Sequence, residues 1–394
     1  MLPDTAQRIR SIFQGFPARI VLTLLLAWAA ASLCVWLHTP LPWMIGPLTV
    51  TAVVSMLGAP TASWTPLRNA GQWTIGCALG LYFTPQVVAL VAGLWWAIAL
   101  NIVWALALGL AFGEWLHRVH HGPVSCAATP PENALQRSRW QAWASKFHVA
   151  GLMRSTTYFA APVGAASEMT LMAERHGAQT ELVASAHSLR VLLVTLIIPF
   201  GFQWAGLHGL DATVPGARLV NPAGLALLAV LTGIGCWTML KLERTNPWFI
   251  GALLAALLLT AFGVTLSAIP QGMTNAAQLV IGISLGVRFT RGFVHLAPRW
   301  LGSVAIATLG MIALCVAFAW GLAQFTEMHW ATLLLGTSPG GIAEMSITAK
   351  VLQLGVPLVT AFHVTRLAAV LLLVEPMYRW FYLQKPDASE FMKG

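Results

Sequence analysis

Runs of about 20 residues with almost no charge dominate this chain, and such runs leave few folds open. Ile20–Leu37, Val88–Phe112 and Leu182–Phe202 are three of them. Each is long enough to cross a hydrocarbon core about 30 Å thick as a helix. Backbone groups in lipid must be satisfied within the segment, so helices are the expected form. The runs do not alternate as barrel strands do. Only 9% of the 394 residues are charged, against about 25% in a soluble domain. The chain therefore reads as an all-α integral membrane protein.

The runs also repeat. Leu41–Leu48, LPWMIGPL, matches Asn246–Leu253, NPWFIGAL, at five of eight positions and an offset of 205. Gln72–Thr84, QWTIGCALGLYFT, matches Gln278–Thr290, QLVIGISLGVRFT, at seven of thirteen and an offset of 206. Glu168, His187 and Arg190 match Glu344, His363 and Arg366 at an offset of 176. The shortened offset means that 30 extra residues lie between Thr84 and Glu168 of the first copy. The polar stretch at about 117–146 accounts for them. Its His117, His120 and His121 have no acidic or cysteine partner at ligand spacing, so it reads as a solvated loop.

This gives a cytoplasmic N-terminus at 1–17, a first repeat at 18–204, a linker at 205–221, a second repeat at 222–382 and a tail at 383–394. The first apolar run could pass for a signal peptide. Its counterpart at about 223–240 marks it instead as a structural helix. Each repeat holds six apolar segments. The third is short and glycine-rich, and the fifth is broken, by Pro162 and Gly164 in one copy and by Pro339, Gly340 and Gly341 in the other.

Charge sets the orientation. Arg8 and Arg10, the insert, Lys241 and Arg244, the Arg288–Arg299 loop and the C-terminal basic residues all belong on the cytoplasmic side. That requires an even number of crossings between the insert and Lys241, where three apolar segments lie. If each broken fifth segment re-enters rather than crosses, the repeats are inverted. About ten helices then cross, and both termini are cytoplasmic. Lys350 is the misfit. Parallel repeats with twelve crossings are the alternative, and they leave two basic loops outside. Inverted repeats with interrupted segments are a secondary-transporter architecture.

Intramembrane ionisable residues are costly, about 2.5–3.5 kcal/mol each, and mark candidate sites. Here they are Glu168, His187, Arg190, Glu344, His363 and Arg366. His and Arg three apart share a helix face. Two roles compete. The glutamates could pair with the arginines and lock the broken segments to the next helix. Or the glutamates and histidines could bind solute or coupling protons, histidine being the natural proton-linked group near neutral pH. Gln72 and Gln278 could line a polar path or bond between helices. The five cysteines include no CxxC pair. No metal site, cofactor or direct nucleic-acid contact is expected, and the net charge of +9 is read as topological.

The doubled Pro-Trp-x-Ile-Gly, the Ile-Gly-x-x-Leu-Gly segments and Ser-Pro-Gly-Gly-x-x-Glu-Met resemble the Gram-negative AbrB-type membrane family with its duplicated domain. The likeness covers nearly all of 18–382 apart from the insert. The first copy departs, with Ala-Pro-Val-Gly-Ala-Ala-Ser-Glu-Met in place of the signature. The resemblance implies a multi-pass protein of the bacterial inner membrane. It also brings two labels, ammonia monooxygenase and regulator of gene expression. No metal-ligand set supports the first, and no DNA-binding module supports the second. The expected function is secondary transport of a small polar or anionic solute, with proton coupling as an option. The alternative is a membrane-embedded regulator acting indirectly, and an enzyme ranks last. The expected partners are the lipid bilayer and the solute, with homodimerisation left open.

Overall fold

A computed structural model describes residues 16–120, 154–164, 166–210, 215–216, 219–244, 246–292 and 298–383. Residues 1–15, most of the insert including His121, and the tail from 384 lie outside the described residues. All regular structure among the described residues is helical. The first half of the chain contains α1 (Phe16–Trp36), α2 (Pro42–Met56), α3 (Thr65–Gly80), α4 (Pro85–Gly93), α5 (Trp95–His120), α6 (Arg154–Ala160), α7 (Ala166–Arg175) and α8 (Thr180–Trp204). The second contains α9 (Pro222–Lys241), α10 (Pro247–Ala261), α11 (Gln271–Gly286), α12 (Pro298–Ala323), α13 (Trp330–Thr337), α14 (Ile342–Val351) and α15 (Val356–Tyr378). A π-helical turn, Arg379–Leu383, follows. His117 and His120 sit on the last turn of α5, so the helix runs further than the polar stretch suggested.

Six helices among the described residues are long and apolar enough to span: α1, α5, α8, α9, α12 and α15 with its π turn. The bent pair α3 and α4, turned by 86°, could make a seventh. About ten crossings were expected. The difference lies in the second and third segments. At 15 residues, α2 and α10 are about 22 Å long, short of a full hydrocarbon thickness. Large apolar side chains such as Leu25, Trp28, Val230 and Trp237 point outward from α1 and α9. A water-soluble surface rarely carries so much contiguous apolar area, and lipid is the solvent that suits it.

The paired motifs build the same local structure. Pro42 and Pro247 open α2 and α10 at the position where a missing N–H costs nothing. The residues before them, Leu41 and Asn246, are both left-handed, with φ 48° each. His38 and Glu243, three residues earlier, also share a positive φ, at 53° and 52°. These turns lie at the same offset of 205 as the motifs.

The packing pairs helices from the two halves of the chain. α3 lies on α10, and α11 lies on α2. A Cβ on Gly80 would stand 2.7 Å from the Leu253 carbonyl oxygen, and one on Gly286 would stand 2.7 Å from that of Leu48. These are the same contact made twice. Small residues here let backbones approach closely enough for dispersion to hold helices together in lipid. Side-chain atoms of Ala256 and Thr51 crowd the same positions, but the carbonyl oxygens are backbone and cannot swing away. Gly80→Ala and Gly286→Ala should each lower stability by about 1–3 kcal/mol, read as earlier thermal unfolding in detergent. Gly93, with nothing within 4 Å, is the control and should tolerate alanine.

α3 and α11 also meet each other. Gly71 packs against the backbone of Ala277, its own counterpart at an offset of 206, and against Ile281. Arg68 near the start of α3 and Arg288 just past the end of α11 border one cavity. The two helices therefore run antiparallel where they touch.

Candidate functional site

Each fifth segment is two half-helices with a non-helical break, α6 to α7 and α13 to α14. Proline has no N–H to continue a helix, and it disfavours helical backbone in the residue before it. Gly164 adopts φ 106°, a conformation that suits glycine. The break leaves the last carbonyls of α6 and α13 without intrahelical partners. In lipid such groups need donors.

The donors are the His-x-x-Arg pairs of the following helices. His187 Nε2 donates to the Phe159 carbonyl at 3.0 Å, and His363 Nε2 donates to that of Leu335 at 2.9 Å. Arg190 donates from Nη1 to the carbonyls of Ala161 at 3.0 Å and Pro162 at 2.6 Å, and from Nη2 to that of Ala160. Arg366 donates from Nη1 to Ser338 at 2.7 Å and from Nη2 to Gly340 at 3.0 Å, with a longer contact from Nη1 to Thr337 at 3.5 Å. Both arginines are almost wholly buried. A cation at a helix C-terminus also meets the negative end of the helix dipole. Three of these bonds recur at the offset of 176, to Phe159 and Leu335, to Ala161 and Thr337, and to Pro162 and Ser338, whereas Nη2 reaches Ala160 in one case and Gly340 in the other.

This counts against one of the two competing roles, the pairing of glutamates with arginines. Among the described residues, no basic nitrogen lies within 4.0 Å of the Glu168 or Glu344 carboxylate. The arginines hold the breaks through carbonyls rather than through glutamates. His363 is fully engaged: Nε2 carries the proton to Leu335, and Nδ1 accepts from Arg366 at 2.7 Å. That network fixes the neutral tautomer. A histidine with both nitrogens occupied is a strut.

The glutamates face one cavity of about 320 Å³. Glu168, His187, Arg190, Glu344, His363 and Arg366 all line it, with Gly164, Pro339, Gly341 and Gln72. Pro162 and Gly340 stand behind it and contribute the carbonyls that hold the arginines. Gln278 is not in the lining, although its counterpart Gln72 is; it is buried, at 3% exposure. The first turns of α7 and α14 open on the cavity through Ala166, Ser167, Ile342 and Ala343. Helix N-termini present free N–H groups and positive dipole ends to an anion.

Six polar residues of the lining had not been singled out as site residues: Arg68, Asn69, Ser167, Asn246, Ser284 and Arg288. Arg288 had been counted only as a loop charge. Arg68 and Gln72 are four apart on α3 and share a helix face, and Arg288 follows Ser284 at the same spacing, just past the end of α11. That spacing was the available signal. Arg68 Nε is buried without a hydrogen-bond partner, and the Arg68 and Arg288 charges act on one another. Among the described residues, no cluster of three or more His, Cys, Asp or Glu could hold a metal ion.

Residues 43–382 match the family described as "Transition state regulatory protein AbrB". The chain belongs to the AbrB family. A protein of Escherichia coli (strain K12) named "Putative regulator AbrB" is 26% identical over 360 residues, covering 89% of this chain and 93% of the relative. "Uncharacterized protein YhjN" of Bacillus subtilis (strain 168) is 22% identical over 381 residues, covering 89% and 91%. The AbrB family and the names of these relatives are not enzymatic. No solved structure matches the chain.

Proposed function

We propose that the chain is a secondary transporter of a small anionic solute and that the cavity between the two repeats is its binding site. One observation carries this reading. Two half-helix N-termini and the guanidiniums of Arg68 and Arg288 converge on a single cavity. Each is a device for an anion, and half-helix termini aimed at a mid-membrane site are how such transporters hold a substrate's negative group.

The repeats are inverted in this account. Three facts support it. α3 and α11 are sequence counterparts and pack antiparallel at Gly71 and Ala277. The contacts of α3 with α10 recur between α11 and α2. The basic residues at Arg68 and Arg288 fall at one end of that pair, which the charge rule puts in the cytoplasm. The cavity then opens inward, and its mirror region around Gln278 is closed. The repeats trade those conformations during a cycle.

The regulator named in Escherichia coli fits this account indirectly, since moving a metabolite changes whatever senses it. Metabolite profiling of cells lacking or overproducing the chain names the solute. Uptake of that solute into proteoliposomes should follow. An overproducing strain with an unchanged pool of every small anion would contradict the proposal.

A further inference from the structure

Glu344 differs from Glu168 in a way that names the coupling site, given the transport reading above. It lies in the first turn of α14, three residues after the N-cap Gly341. Its carboxylate folds back over Gly341 and fills the volume that a Cβ there would need. The side chain is only 8% exposed. The seat that α14 offers an anion is thus occupied by the protein's own carboxylate. Glu168, its counterpart, is half-buried. The sequence has alanine at 165, the position that corresponds to Gly341.

We infer that the Glu344 carboxylate is a resident competitor, held at the N-terminus of α14 near Arg288, which a small carboxylate solute displaces when Glu344 takes up a proton. The charged and titratable groups around the cavity decide who can compete. They are Arg68 from α3, Glu168 from α7, His187 and Arg190 from α8, Arg288, and His363 and Arg366 from α15. α13, also packed on α14, adds none of its own. The pairs on α8 and α15 are committed to carbonyls. Arg68 and Arg288 are left for a carboxylate, and Arg288 acts on Glu344 electrostatically.

The exchange balances. A proton from the open side neutralises Glu344, the neutral carboxyl leaves the N–H groups, and the solute carboxylate takes its place beside Arg288. One proton then enters with each singly charged anion, and no net charge is added. Release reverses both steps. The solute is a small carboxylate, because what it replaces is one.

The test measures binding of acetate, lactate and succinate to the purified full-length chain in detergent, by calorimetry, across a pH series. For wild type, affinity should rise as pH falls, by up to about tenfold per unit for one linked proton. Glu344→Gln mimics the protonated competitor, so it should bind tightly with a flat pH profile. Gly341→Ala should push the carboxylate off its seat and raise affinity near neutral pH. If that variant does not fold, Glu344→Gln decides. An unchanged pH slope in Glu344→Gln, with binding intact, overturns Glu344 as competitor and leaves the transport reading standing. Absence of binding by all three anions in both wild type and variant overturns the inference through the reading it rests on.

Discussion

Arg366→Met should lower stability by at least about 3 kcal/mol, because it strips a charged donor from three buried carbonyls at once. The guanidinium bonds to Ser338 and Gly340, reaches Thr337, and holds the His363 ring as well. Methionine fills similar volume and offers no hydrogen. The end of α13 would then keep orphaned carbonyls at buried residues, Thr337 and Ser338 among them, and an unsatisfied buried acceptor is costly. Arg190→Met should behave alike, since it strips the carbonyls of Ala160, Ala161 and Pro162. Lysine should rescue only in part, because an ammonium lacks the planar fork that spans several acceptors. Thermal unfolding in detergent reads the loss. A variant with unchanged stability and abolished uptake would show that Arg366 serves the solute and not the break.

The second large effect concerns Arg68 and Arg288, whose charges face the cavity. Neither has an ion-pair partner within 4.0 Å among the described residues. A hydrogen bond to a charged group is worth about 1.5–3 kcal/mol. Arg288→Ala and Arg68→Ala should therefore each raise the half-saturating solute concentration by about 10–100-fold. Stability should change little, since among the described residues no carbonyl depends on either. Removing one of two mutually repelling cations even relieves the other. Uptake by proteoliposomes, alongside unfolding temperature, separates this pattern from that of Arg366. Uptake at wild-type levels in both variants would remove the anion seat from the account.

The contrast between these arginines marks where sequence reading stopped. Glu, His and Arg inside apolar segments are visible because each is expensive there, and their recurrence at one offset pairs them. Which carbonyls Arg366 serves was not visible. That depends on where α13 ends and on the fold bringing the break beside α15, neither of which is a property of Arg366 itself. Arg68 and Arg288 were hidden for the opposite reason. They sit at segment ends, where a basic residue is ordinarily a topology signal. Only the crossing of α3 and α11 turns those ends into walls of a cavity. The crossing number was blurred because α2, α3, α10 and α11 are apolar yet about a turn or two short of the membrane. Their packing, set by Gly80 and Gly286 against Leu253 and Leu48, was partly legible as glycine spacing. The pairing of helices from the two halves of the chain was not.

Gln72 and Gln278 give the most direct test of the central claim, that the repeats alternate around one anion site. They are sequence counterparts, yet one lines the open cavity and the other is buried. In a cysteine-free background in proteoliposomes, Gln72→Cys and Gln278→Cys can be labelled from either side with an impermeant thiol reagent. The account predicts that Gln72→Cys reacts from the cytoplasmic side and Gln278→Cys from the opposite side, and that the transported anion shifts the two rates in opposite directions. Labelling of both positions from one side only, or rates that no anion moves, would contradict it.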